Sequence, residues 1–160
     1  MIIGVNYGDM HIGFTYPSIM SAFKEYCLEI IKDDKDNFKL FIQFLWGLKI
    51  YHLDELKLEL IKMKTLMEKS KNLPLSNECL HFLENDEVND YLKLKKNNIK
   101  FFTAIDTTYF FIDLFIDRIE IAKEEKEEYI AIGSMTVRAD MVDEYGWDYP
   151  NQIPEEIKKL

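Results

Sequence analysis

The most regular hydrophobic pattern in the chain lies between residues 53 and 67, where five apolar residues alternate in steps of three and four. They are Leu53, Leu56, Leu60, Met63 and Met67. This spacing aligns side chains along one face of an α-helix. Asp54 is placed to cap the start of the helix, and Asn72 and Pro74 predict its end.

Helical spacing predicts several further helices. One follows Pro17 and runs to about residue 32, and another covers residues 37–50, where Gly47 favours a kink or an early stop. A long helix runs from a cap at Asp106 or Thr107 to about residue 124. Short helices are predicted from Ser76, from about Asp86, and after Ser134 as far as Gly146, with a last turn that has Pro154 at its first position.

Short β-prone runs alternate with these helices. Residues 2–7 and 11–16 flank Gly8 and predict a hairpin, and residues 99–103 and 127–133 have the composition of strands. Three or four strands with five to seven helices make a mostly helical α+β fold. A chain of 160 residues without repeats or linkers is expected to form a single domain over residues 1–160.

The charge is negative and unevenly distributed. The formal net charge is −9, and residues 120–160 alone hold 11 acidic and 5 basic side chains. This balance argues against binding to nucleic acid or to an anionic membrane surface, and it suits a basic partner that docks near the C-terminal quarter. Without a signal peptide or an apolar span, and with Cys27 and Cys79 as buried thiols, we expect a soluble cytoplasmic protein.

The residue types that commonly carry catalysis do not form a familiar arrangement. His11, His52 and His81 lack zinc-ligand spacing, and Ser134 fits a helix cap better than a nucleophile. The carboxylate pairs of the helices are better explained as solvated surface; they are Glu55 with Glu59 and Asp113 with Asp117. We therefore expect a binding protein without a cofactor or a metal, rather than an enzyme.

One segment combines acidic and aromatic side chains to an unusual degree. Its candidate partner-binding residues are Asp140, Asp143, Glu144, Tyr145, Trp147, Asp148 and Tyr149. As a docking face, the rings would supply contact area and the carboxylates would steer a cationic partner. As a lid, the aromatic residues would instead fold back over the core. The sequence leaves both interpretations open.

Three stretches carry a resemblance to a known class. They are IGVNYGDMHIGFTYPSIMSAF, WGLKIYHLDELKLELIKM and FFTAIDTTYFFIDLFIDRIEIAKEEKEEYIAI. Their order and texture resemble immunity proteins of bacterial polymorphic-toxin and contact-dependent inhibition systems, and in particular the immunity protein seventy family. A Pro-Pro-Trp-Gly segment of that family is absent, and NDEVNDYLKLKKNN occupies its place.

The resemblance implies a small cytoplasmic protein that neutralises a toxin domain, commonly a basic nuclease, by stoichiometric binding. It names no site residue. Two alternatives remain: a regulatory or scaffold module that binds a basic segment of an unrelated protein, and an enzyme that uses Glu55, Glu59 or His52. A deep pocket lined by convergent polar groups would favour the enzyme.

Overall fold

The computed structural model describes residues 3–7, 10–15, 17–69, 104–134 and 153–160. Several predictions fall outside these residues and stay predictions. They are the helices from Ser76 and Asp86, the strand at 99–103, the helix after Ser134, and the environments of Cys79 and His81.

A small antiparallel sheet is formed by β1 (Ile3–Tyr7), β2 (Met10–Thr15) and β3 (Ala131–Ser134), in the order β2-β1-β3. Val5 pairs with Ile12 on one side and with Ile132 on the other. Because side chains alternate along a strand, Ile3, Val5 and Tyr7 share one face, and all three are buried in the core. The predicted hairpin is confirmed, and the predicted strand at 127–133 is shorter and begins four residues later.

Five helices are described, and with the sheet they confirm the α+β class. They are α1 (Pro17–Ile30), α2 (Lys39–Leu45), α3 (Leu53–Lys69), α4 (Ala104–Glu124) and α5 (Glu155–Lys158). A short 3-10 turn, Lys35–Asn37, joins α1 to α2.

The helix ends correct several predictions. α3 begins at Leu53, where the amide of Leu56 donates to the carbonyl of His52, so Asp54 lies in the first turn and is not the cap. α4 begins at Ala104, which places Asp106 and Thr107 inside the helix. Pro154 precedes α5 as its N-cap residue instead of occupying the first helical position.

Gly47 stops α2 early, as the sequence predicts. Its φ of 88° is left-handed, its amide donates to the carbonyl of Phe44, and the amide of Leu48 donates to the carbonyl of Gln43. These two bonds make a Schellman motif, which satisfies carbonyls that the helix leaves without partners. Glycine enters this conformation without the steric cost of a Cβ atom.

Four phenylalanine rings connect three of the helices in the core. Phe23 of α1 lies edge-on to Phe111 and Phe115 of α4, with ring centroids 4.9 and 5.9 Å away. Phe44 of α2 lies edge-on to Phe115, with centroids 5.1 Å apart. This geometry sets the positive edge of one ring against the negative face of the next.

The apolar stripe of α3 faces the same core. All five residues of the predicted repeat are buried, and Leu56, Leu60, Met63 and Met67 have no exposed surface. Leu58, two positions from Leu56, is 58% exposed on the opposite side of the helix. The periodicity therefore placed the inner face of α3 correctly.

Leu56 and Leu58 provide a matched pair for testing this burial. We expect Leu56→Ala to lower the free energy of unfolding by about 2–5 kcal/mol, because it removes buried methyl groups and leaves a cavity. Leu58→Ala should change it by less than about 0.5 kcal/mol, since that side chain faces solvent. Urea unfolding followed by circular dichroism gives both values. Equal losses at the two positions would contradict the orientation of α3.

The side chain of Glu59 is half-buried and caps a neighbouring helix. Its Oε2 atom accepts a hydrogen bond of 2.7 Å from the backbone amide of Phe41, in the first turn of α2. Phe38, the N-cap residue of α2, makes no side-chain bond to the helix. The carboxylate of α3 therefore takes the role that a local Ser, Thr, Asp or Asn usually has.

Removing this cap should destabilise the fold. We expect Glu59→Ala to lower the free energy of unfolding near neutral pH by about 1–2 kcal/mol, because the amides of α2 lose their acceptor. Glu59→Gln keeps an acceptor oxygen and should lose less. Glu55→Ala, at an exposed carboxylate one turn earlier, serves as the control and should stay within about 0.5 kcal/mol of the wild type.

The same carboxylate predicts a pH dependence. Burial raises the pKa of Glu59 above its ordinary value of 4.5, although the amides of Phe41 and Leu40 act in the opposite direction. The folded state then holds this proton more tightly than the unfolded chain does. The stability of the wild type relative to E59Q should fall as the pH rises from 4.5 through the raised pKa. If the free energy of unfolding of the wild type instead rises relative to that of E59Q over this pH range, burial does not raise the pKa of Glu59.

Candidate functional site at the paired ends of α3 and α4

The acidic and aromatic segment singled out in the sequence lies outside the described residues. This applies to all seven candidate binding residues, from Asp140 to Tyr149. Its role as a docking face or as a lid stays a prediction. The described part of the chain contains a second surface of similar chemistry, built by the start of α3 and the end of α4.

Three ion pairs hold α3 and α4 side by side in antiparallel register. The nitrogen–oxygen distances are 2.5 Å for Lys123–Asp54, 2.8 Å for Lys57–Glu120 and 2.5 Å for Lys64–Asp113. Along this series the residue number on α4 falls by as much as the number on α3 rises. The N-terminus of α3 therefore lies beside the C-terminus of α4.

These contacts shift the pKa of three side chains, Asp54, Glu120 and Lys123. The hydrogen bond from Lys123 lowers the pKa of Asp54, and the hydrogen bond from Lys57 lowers the pKa of Glu120. In return, Asp54 raises the pKa of Lys123. All three shifts favour the charged forms of these side chains.

A short backbone bridge continues this pairing beyond the helices. The amide of Ile50 donates to the carbonyl of Ile130 at 2.9 Å, and the reverse bond is 3.1 Å long. Both isoleucine side chains are buried. Because side chains alternate along an extended strand, the neighbouring Tyr51 and Tyr129 point outward as a cross-strand pair.

The two tyrosine rings make an aromatic pair at the surface, in which Tyr51 is exposed and Tyr129 is half-buried. Their centroids are 5.9 Å apart, and 57% of Tyr51 is exposed. The ammonium group of Lys49 lies 5.0 Å from the centroid of the Tyr129 ring. This contact indicates that the ring face already attracts a cation within the chain itself.

The end of α4 turns sharply at Lys126. The amide of Lys126 donates to the carbonyl of Lys123, and the amide of Glu127 donates to that of Ala122. These bonds form a second Schellman motif, with Lys126 at φ 59° in the position where glycine is usual. The turn directs the chain from the last turn of α4 back toward Ile130.

Five carboxylates lie within five residues of one of the two tyrosines along the chain, and together with the tyrosine pair they form what we call the acidic edge. It consists of Tyr51, Asp54, Glu124, Glu125, Glu127, Glu128 and Tyr129. Glu124 is the last residue of α4, and Glu125, Glu127 and Glu128 come directly after it, with Lys126 among them. The helix dipole is negative at that end, so acidic side chains there are electrostatically unfavourable. Local disagreement with a stability rule is typical of functional surfaces.

Sequence patterns did not single out the acidic edge, because the run from Lys123 to Tyr129 is also typical of a solvated helix end. Most residues of this run are exposed. The missing information was the tertiary pairing with residues 51–54. A strand-like Ile-Tyr before α3 and a Tyr-Ile after α4 were the only available signal.

The residues proposed for an enzyme do not converge in the described part of the chain. His52 and Glu55 are exposed, whereas Glu59 caps α2. A groove of about 340 Å³ lies between α3 and the connection from α1 to α2. It is lined by Asp34, Asn37, Phe38, Lys62, Thr65 and Leu66 and includes none of the three.

The described residues contain no group of three or more His, Cys, Asp or Glu side chains placed to hold a metal ion. None of the helices described combines the length and the apolar character needed to cross a bilayer. Cys27 is fully buried on α1, as the sequence predicts.

Comparisons with known proteins yield no relationship for this chain. No protein-family model matches it, no curated protein matches it, and no solved structure matches it.

If the carboxylates at the end of α4 oppose the helix dipole, removing their charge should stabilise the protein. We expect the triple variant E124Q/E125Q/E128Q to melt about 1–4 °C higher at low salt, with a smaller gain at 1 M salt. Asp54→Asn, at the favourable N-terminal end of α3, should melt lower. Thermal unfolding followed at 222 nm measures both. A lower midpoint for the triple variant would show that the acidic edge stabilises the fold.

Proposed function

We propose that this protein is an immunity protein that binds a basic bacterial toxin domain and neutralises it stoichiometrically. The observation that carries the proposal is the acidic edge, where four glutamates lie at and just beyond the C-terminal end of α4, next to a tyrosine pair whose Tyr51 is exposed. Its chemistry is the one expected for the segment from Asp140 to Tyr149. The net charge of −9 and the resemblance to immunity proteins support the same conclusion.

The acidic edge would act in two stages. Its carboxylates raise the encounter rate with a basic partner, because the attraction extends to about 8–10 Å at physiological salt. In the bound complex, lysine or arginine side chains of the toxin pair with the carboxylates, and one cation lies over the open face of Tyr51. The toxin is then inhibited because its active site is covered, and this protein needs no catalytic group.

Co-expression with the toxin domain encoded immediately upstream tests the function. We expect cells that produce both proteins to grow and cells that produce the toxin domain alone to die. Equal killing with and without the chain would overturn the immunity function. If the purified chain still binds basic segments of unrelated proteins in that case, the regulatory or scaffold alternative takes its place.

Charge reversal tests the acidic edge separately. We expect E124K/E127K/E128K to slow association with the toxin domain at least about tenfold at low salt, with a smaller effect at high salt. The control D33K/D36K/E156K makes the same change in net charge at exposed positions elsewhere. Stopped-flow binding gives both rates. Equal slowing by the two variants would leave only net charge as the cause and exclude the edge as the binding surface.

The predicted C-terminal segment can be compared in the same assay. If the segment is a docking face, Trp147→Ala combined with Asp148→Lys should weaken toxin binding strongly and lower the melting temperature only slightly. A variant that simply unfolds would instead support the lid interpretation. A change in Trp147 fluorescence when the partner is added gives a second readout.

A further inference from the structure

The outer face of α3 exposes two large apolar side chains. Leu58 is 58% exposed and Ile61 is 44% exposed, although both belong to the 17-residue helix whose inner face is fully buried. They lie three residues apart and therefore lie next to each other on the helix surface. Most exposed positions on α3 are charged, so this apolar pair stands out.

The pair belongs to a second seam with the spacing of a coiled coil. Asp54, Leu58, Ile61, Thr65 and Glu68 follow one another in steps of four, three, four and three. All five side chains are exposed. Among them, Asp54 is the one that forms an ion pair within the described residues, with Lys123. An alternation of three and four keeps one seam facing a partner helix along its whole length.

The charged residues on one side of this seam are complementary to the same residues of a second copy. Glu55 and Lys62 are seven residues apart, so they lie on the same side of the seam, and both are exposed. When a second α3 is placed antiparallel with Leu58 opposite Ile61, Glu55 of each copy faces Lys62 of the other. The two-fold symmetry of such a dimer forms this ion pair twice.

The other side of the seam does not oppose this arrangement. It carries Lys57 and Lys64, which would approach each other across the two copies. Both ammonium groups are already paired within the chain, with Glu120 and Asp113. Their repulsion is thereby reduced, and the attractive pairs on the first side decide the orientation.

We propose that the outer face of α3 binds a second copy of this chain, through an antiparallel contact centred on Leu58 and Ile61. A single helix pair is a small interface, so the dimer should form in the micromolar range of concentration. The helix is about 25 Å long, and antiparallel pairing places the two acidic edges at opposite ends of the dimer. Asp54 belongs to both the seam and the acidic edge, so each copy would keep the four glutamates of its edge free for a partner.

Sedimentation velocity between about 1 and 500 μM tests the proposal on the full chain at low salt. We expect the wild type to change from monomer to dimer over this range, and Leu58→Glu to stay monomeric. E55K and K62E should each weaken the dimer about tenfold or more, because every attractive pair becomes repulsive. An equimolar mixture of E55K and K62E should associate as tightly as the wild type, since opposite charges face each other again in the mixed dimer.

The mixture also separates a lost interface from a lost fold, because misfolded single variants would not recover on mixing. Exchanging the charges of Glu29, in the last turn of α1, and Lys32, just beyond its end, is the control and should leave the dimer unchanged. A wild type that is monomeric at every concentration overturns the proposal, as does a mixture that associates no better than its components. A monomeric wild type whose toxin binding is lost in L58E would assign this face to the toxin instead.

Discussion

The edge-to-face contacts of Phe23, Phe44, Phe111 and Phe115 hold together parts of the chain that are distant in sequence. Phe115 contacts rings from both α1 and α2, so the positions of these helices depend on one side chain of α4. Aromatic pairs of this kind add about 0.5–1.5 kcal/mol to the gain from burial, and they favour particular ring angles. The sheet, which contributes Val5 and Ile132 to the same core, is attached to this assembly.

Apolar packing alone does not define how two helices align along their length, because it is not directional. Between α3 and α4 the alternation of charges supplies this information. In the observed register, Lys57 faces Glu120 and Asp54 faces Lys123. A slip of three residues would bring Lys57 opposite Lys123. Exposed pairs contribute little to stability, yet this pattern specifies which residues form the acidic edge.

The parts of the fold that depend on local periodicity could be predicted from the sequence. The inner stripe of α3, the first hairpin and the stop of α2 at Gly47 all follow from neighbouring residues. Of the two Schellman motifs, the first could be predicted because it has a glycine, Gly47, at the left-handed position. The second could not, because Lys126 occupies that position.

Contacts made at long range could not be predicted in the same way. Glu59 has the sequence context of a surface residue, and only the position of α2 makes it a cap. Lys24 lies on the buried stripe of α1 at 6% exposure, with its ammonium 3.6 Å from the centroid of the Trp46 ring. A lysine there is acceptable because its aromatic neighbour attracts the cation. The acidic edge is of the same kind, since it exists only when the two helix ends meet.

The cap supplied by Glu59 also bears on the order of folding. α2 has seven residues, well below the length of about 12–15 at which isolated helices become even marginal in water. Its first turn is completed by a side chain that lies 18 residues further along the chain. α2 therefore gains its cap only once α3 has formed and docked. We expect the long helices to assemble first and α2 to form when it docks against them. Substitutions that destabilise α2 should therefore accelerate unfolding more than they slow folding.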